Sequence, residues 1–232
     1  MVSILSIFGD LAIYDTLNIP INNGSVTLKR VSNENVLLII NRRGISYSKL
    51  INLKIDKQIS LRPLPPCAGS LKVDCLYLKL DNELILKPND NIRLNTRLPL
   101  DLGIYIDSIL IETIPLSNVK YALYGPPDLG DICRLIDLRQ EKNLSNFVKA
   151  ELEIIFESRA EGTIGISKII VPLNGLSVFR DENSRLKLQT IEVVVYSSTR
   201  VEVTTKTTIP RGFNIFSFNK PGEYVYVMRY GT

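Results

Sequence analysis

The run Leu71-Lys72-Val73-Asp74-Cys75-Leu76-Tyr77-Leu78-Lys79-Leu80 decides the fold class of this 232-residue chain. Read with a period of two, it puts Leu71, Val73, Cys75, Tyr77 and Lys79 on one side and Asp74, Leu76, Leu78 and Leu80 on the other. That is a strand buried on one face and partly on the second. Residues 104–114 and 186–196 repeat the pattern, and 201–208 alternates β-branched residues with Glu202 and Lys206 as a half-exposed strand does. Apolar stripes at helical spacing are scarce, so the chain is expected to be all-β.

Turn signals fall between these runs at Asn22-Asn23-Gly24, Arg43-Gly44, Asp81-Asn82, Pro88-Asn89-Asp90, Asn174-Gly175 and Pro221-Gly222. Short strands punctuated this often describe sandwiches or barrels. The one plausible helix lies in residues 139–150, capped by Asn143 or Ser145, although Phe147 onward reads equally well as a strand ending near Glu157. Pro63-Leu64-Pro65-Pro66 reads as a stiff loop, because prolines cannot donate to a sheet ladder. The break at Pro115–Asn118 divides the chain near its middle. The expectation is an antiparallel β-sandwich architecture of two packed lobes, 1–115 and 116–232, with at most one short helix.

Composition narrows the chemistry. Histidine and tryptophan are both absent, which removes the commonest general base and the usual transition-metal ligand. The net charge of +4 is spread evenly over both halves, with little aromatic interleaving around the basic pairs, so nucleic acid is not an expected partner. Cys67, Cys75 and Cys133 lack metal-ligand spacing, and neither a metal nor another cofactor is expected. Cys67 and Cys75 are read as buried free thiols, with a bridge across a hairpin as the alternative, and for Cys133 a buried structural thiol is preferred to a nucleophile. The longest apolar runs are far shorter than the roughly 20 residues that span a bilayer, and Met1-Val2-Ser3 carries no positive charge. A cytoplasmic protein without its own membrane anchor is expected. Three glutamines and abundant isoleucine point to a thermophilic, archaeal source.

At 119–135 the chain reads Val-Lys-Tyr-Ala-Leu-Tyr-Gly-Pro-Pro-Asp-Leu-Gly-Asp-Ile-Cys-Arg-Leu, preceded by Leu86-Lys87-Pro88-Asn89-Asp90 and Pro99-Leu100-Asp101-Leu102-Gly103-Ile104-Tyr105. These blocks resemble an uncharacterised archaeal family built on a domain of unknown function. The shared layout covers most of the chain, with Lys120 to Arg134 its specific part. The resemblance implies an archaeal, β-rich protein with no assigned activity, and neighbours encoding small mechanosensitive-type membrane channels. It carries no functional residue to transfer.

The candidate ligand or interface residues are Lys120, Tyr121, Tyr124, Asp128, Asp131 and Arg134, around the Gly125-Pro126-Pro127 turn, together with Tyr105 from the preceding strand run. Aromatics beside a rigid turn line a ligand platform, or else pack inward with their hydroxyls satisfied at an edge. The acidic pairs Glu151 with Glu153, Glu157 with Glu161, Asp181 with Glu182 and Asp128 with Asp131 have the residue type for glycoside hydrolysis or a hard cation; the spacing of Glu151, Glu153 and Glu157 instead fits the wet face of a strand. Neither a phosphate-binding Gly-rich loop nor a Gly-x-Ser-x-Gly elbow is present. Two functions follow as expectations. The first is a non-enzymatic interaction or scaffold protein, an accessory subunit of a larger and membrane-associated complex, with a protein partner or a second copy. The alternative is a carbohydrate or small-ligand binding sandwich. Burial of Tyr105, Tyr121 and Tyr124 favours the first, and their clustering at an open pocket the second.

Overall fold

A computed structural model describes residues 8–11, 16–21, 23–53, 58–67, 71–141, 149–206, 208–216 and 224–232. The described residues open on β1 (Gly9–Leu11) and a four-strand meander, β2 (Thr16–Ile21), β3 (Gly24–Arg30), β4 (Asn35–Arg42) and β5 (Ile45–Asn52). There follow β6 (Ile59–Leu64), the long β7 (Cys75–Leu86), β8 (Asn91–Pro99), β9 (Asp101–Ile106) and β10 (Ile109–Pro115). The second half carries β11 (Tyr121–Tyr124), β12 (Asp131–Asp137), a helical turn α1 (Leu138–Glu141), β13 (Lys149–Ser158) and β14 (Ile164–Pro172). It ends with β15 (Val178–Asp181), β16 (Leu186–Leu188), β17 (Ile191–Ser197), β18 (Arg200–Thr205), β19 (Phe213–Ile215) and β20 (Val225–Met228). The chain is nearly all β, as the alternating runs require.

These strands form four sheets: β1-β6-β9-β10, the meander β2-β3-β4-β5, the mixed sheet β11-β12-β7-β14, and an eight-stranded sheet in which β13 lies between β8 on one edge and β16 and β17 on the other. Most pairings are antiparallel; β12 with β7, β13 with β16 and β13 with β17 are parallel. β14 of the third sheet lies against β18 and β20 of the fourth, which stacks the two as layers of a sandwich. One continuous apolar core joins all four, from Val26 and Leu38 through Leu61 and Ile104 to Leu76, Ile154 and Val193.

The expected division at residue 115 does not follow the sheets. β7 and β8 belong to the first half, yet β7 sits between β12 and β14, and β8 pairs with β13 along its length. Long-range pairing of this kind leaves no mark on local sequence, which is why a break between two strand runs reads as a lobe boundary.

Other expectations are refined in the same way. In β7 the Leu76, Leu78 and Leu80 face is buried while Tyr77 is half-buried and Lys79 exposed, as the alternation requires. Asp81-Asn82 is not a turn: β7 runs through it, with an irregular register opposite Ile166 and Lys168, and Arg139 Nη2 holds the Asp81 carbonyl at 2.5 Å. The run 104–114 is two strands, folded back at Asp107, whose φ of 54° fits a tight turn. The run 186–196 breaks at Gln189-Thr190, where the chain exchanges pairing with β15 for pairing with β18. Pro63 lies in β6, not in a loop; among the described residues β1 reaches only to Leu61, and beyond it β6 pairs with β9 alone, where proline is tolerated. Of the expected helix only its first residues fall in α1; residues 142–148 lie outside the described residues, and 149–158 is strand, as the second reading had it. Pro221-Gly222 also lies outside them.

Candidate functional site

β11 and β12 form a hairpin whose register sets Tyr121 opposite Arg134, Leu123 opposite Ile132 and Tyr124 opposite Asp131. The loop between them is closed by the Pro126 carbonyl, which accepts from Gly130 N at 2.7 Å. Gly125 is required here: its φ is 107°, and a Cβ would lie 2.5 Å from the Tyr230 ring. Tyr230 therefore packs directly on the turn and meets Tyr124 edge-on, with ring centroids 5.5 Å apart.

The seven candidate residues do not converge on one open site. Tyr124 is 2% exposed; its hydroxyl donates to the Gly231 carbonyl at 3.2 Å and accepts from Tyr230 N at 2.9 Å. Tyr121 accepts from Leu71 N at 2.9 Å, which anchors the start of the segment leading into β7. Asp131 accepts a hydrogen bond from the Tyr226 hydroxyl. Burial, then this bond to Asp131, pushes the Tyr226 pKa above the usual tyrosine value. Tyr105 is 3% exposed on β9, away from the hairpin, and burial raises its pKa as well. Lys120 and Asp128 are exposed, the Lys120 carbonyl accepting from Leu135 N at 2.9 Å. Tyr124 and Asp131 thus belong to a clamp that fastens the C-terminal strand β20 and residues 229–232 to the hairpin, while Tyr121 ties the hairpin to the segment leading into β7.

Arg134 is the main departure from its expected place at an interface. It is fully buried, and its guanidinium donates through Nη1 to Asp101 Oδ2 at 2.6 Å and through Nη2 to Ser117 Oγ at 3.2 Å. Asp101 is fully buried on β9, so this ion pair ties the third sheet to the first. Arg42 joins the same cluster, with Nη2 on the Ser117 carbonyl at 2.5 Å. Asp101 escaped sequence reading, although a lone acid in the run Leu98-Pro99-Leu100-Asp101-Leu102 was a usable signal.

The cysteines are also corrected. Cys75 and Cys133 form a disulfide joining neighbouring strands β7 and β12, and Cys67 is the free thiol. The hairpin bridge Cys67–Cys75 and the free structural thiol at Cys133 both give way, because parallel pairing brings together cysteines 58 residues apart. The thiol of Cys67 is pushed up to about 12, first by burial and then by the nearby Asp101 charge.

The carboxylates behave as a wet strand face. Glu151 meets Arg97 at 3.8 Å, Glu153 meets Arg93 at 3.6 Å and Lys187 at 3.7 Å, and Glu157 meets Arg159 at 2.7 Å. Asp181, near the end of β15, is bound by Arg185 at 2.6 Å. Among the described residues no group of three or more potential metal-ligating side chains comes together, and no helix is long and apolar enough to cross a membrane.

The accessible surface of interest lies elsewhere. Among the described residues β5 is paired on one side only, with β4, and its Ile45 is 74% exposed and Leu50 60% exposed. A lysine commonly blunts such an edge. Lys49, the only charged residue of β5, is instead drawn to β10, where it meets Glu112 at 3.6 Å and the Ile111 carbonyl at 3.4 Å.

Compared with known protein families, the chain matches over residues 7–223 the model described as a protein of unknown function, DUF432. The chain belongs to the DUF432 family. The match runs from before β1 to just short of β20, so the sheets, the Arg134–Asp101 pair and the disulfide all lie within the DUF432 region. No curated protein and no solved structure matches the chain.

Proposed function

We propose that this DUF432 protein is a non-enzymatic interaction protein, an accessory subunit of a larger complex that receives a strand of a partner protein along the β5 edge. The observation that carries the reading is the edge itself: eight residues of regular strand, paired on one side only among the described residues, with Ile45, Tyr47 and Leu50 exposed. Main-chain groups on such an edge supply affinity, and the alternating side chains supply specificity. The burial of Tyr105 and Tyr124 supports the same reading, since a sugar-binding module working through them would hold them at a pocket. The cytoplasmic setting and thermophilic archaeal source stay part of the proposal; an intracellular disulfide such as Cys75–Cys133 is a feature that hyperthermophiles retain.

The test is affinity purification of the tagged chain from its own organism in mild detergent, which keeps membrane-associated partners within reach. It is run beside the variant Ser46→Lys with Leu50→Lys, both at exposed β5 positions. A stoichiometric partner that the wild type retains and the variant loses is expected. Recovery of the wild-type chain alone overturns the proposal.

A further inference from the structure

Between the β4–β5 hairpin and the end of β10 with its following loop lies a cleft of about 450 Å³, within the size range of small-molecule sites. Its walls are largely apolar, with Ile40, Ile45 and Tyr47 on the hairpin side and Pro115 and Val119 on the other. Arg42 and Arg43 also line it, and none of its lining residues is acidic.

The local backbone explains why two adjacent arginines reach one cleft. Arg43 and Gly44 both have positive φ, 51° and 79°, which makes the tight turn between β4 and β5. Both guanidiniums are tethered to the facing loop: Arg42 Nη2 donates to the Ser117 carbonyl at 2.5 Å, and Arg43 Nη2 to Asn118 Oδ1 at 2.8 Å. A guanidinium has five N–H donors, so these bonds orient each fork while leaving donors for a ligand. The carboxylates nearby are engaged elsewhere, Glu112 by Lys49 and Asp101 by Arg134. Burial and the neighbouring Arg43 charge lower the pKa of Arg42, with Asp101 countering, so the site holds uncomfortable positive charge that an anion relieves.

We infer that this cleft binds a small organic anion, its acid group held between Arg42 and Arg43 and its apolar body laid against Ile40, Tyr47 and Pro115. The cleft shares the Ile45 and Tyr47 side chains with the β5 edge, but Arg42 and Arg43, which hold the anion, lie outside β5, so loss of anion binding and loss of strand capture are separable.

Calorimetric titration of the full chain with decanoate, and with decanol as the uncharged counterpart, tests it. Decanoate binds at one site per chain, and decanol binds about tenfold or more weakly, the loss expected for charge-assisted hydrogen bonds. Arg43→Asn, at an exposed turn position where asparagine accepts a positive φ, abolishes the preference for decanoate. Thr113→Phe, which crowds the cleft, weakens both ligands. Thermal melts that match the wild type establish that the variants fold. No decanoate binding at millimolar concentration overturns the inference, as does equal affinity for the two ligands in the wild type, or binding unaffected by either substitution.

Discussion

Arg134 of β12 and Asp101 of β9, both fully buried, meet at 2.6 Å and join two sheets that the sequence places far apart. Removing one partner leaves a buried, uncompensated charge. Arg134→Met or Asp101→Leu alone is therefore expected to cost about 3–5 kcal/mol in urea unfolding, and the double variant to recover most of it. A double variant no more stable than the singles would show that the pair stabilises the joint beyond its charge balance.

The disulfide makes a separate prediction. Cys75–Cys133 closes a loop across 58 residues, for which chain entropy gives about 4 kcal/mol. Cys133→Ala or reduction is expected to lower the melting temperature strongly, and Cys67→Ala to leave it nearly unchanged. Equal effects of the two substitutions would contradict the pairing.

Thiol titration reads the same chemistry without a variant. The chain has three cysteines and one free thiol, so the denatured, unreduced protein should release one equivalent with a disulfide reagent and three after reduction. In the native state Cys67 should react slowly near neutral pH, because burial holds its thiol at about 12 and little thiolate forms. Rapid native labelling would sink this description of its surroundings.

Alkaline pH probes the C-terminal clamp. Burial raises the tyrosine hydroxyls of Tyr77, Tyr105 and Tyr124, and burial together with the Asp131 bond raises Tyr226. Above the unfolded tyrosine pKa of about 10, the folded state holds protons that the unfolded chain has lost. Stability is then full below about pH 10 and falls as the pH rises beyond it. Tyr226→Phe should make that fall shallower in urea midpoints measured across the range; an unchanged slope would remove Tyr226 from the account.

Period-two alternation made the strands legible, and the buried leucines of β7 lie where it put them. Partner choice was not legible. Cys133 finds Cys75 and Arg134 finds Asp101 only because β12 pairs in parallel with β7 and faces the sheet of β9, and neither relation leaves a trace in nearby residues. The Lys120–Arg134 block is the specific part of the family resemblance, but its chemistry reads alike for a ligand platform and a structural clamp until Tyr226 and Tyr230 are seen against it. The β5 edge was hidden for the opposite reason: Ile45, Tyr47 and Leu50 look like ordinary core residues, and only their exposure marks them.

The central claim, that β5 is the working surface and the Tyr121–Arg134 block a structural joint, is tested most directly by hydrogen exchange on the native complex. Peptides covering residues 45–52 are compared in the free chain and in the purified assembly. The account predicts that exchange in β5 slows by about tenfold or more in the assembly while 121–134 is unchanged. Unaltered exchange in β5, or new protection confined to 121–134, would contradict it.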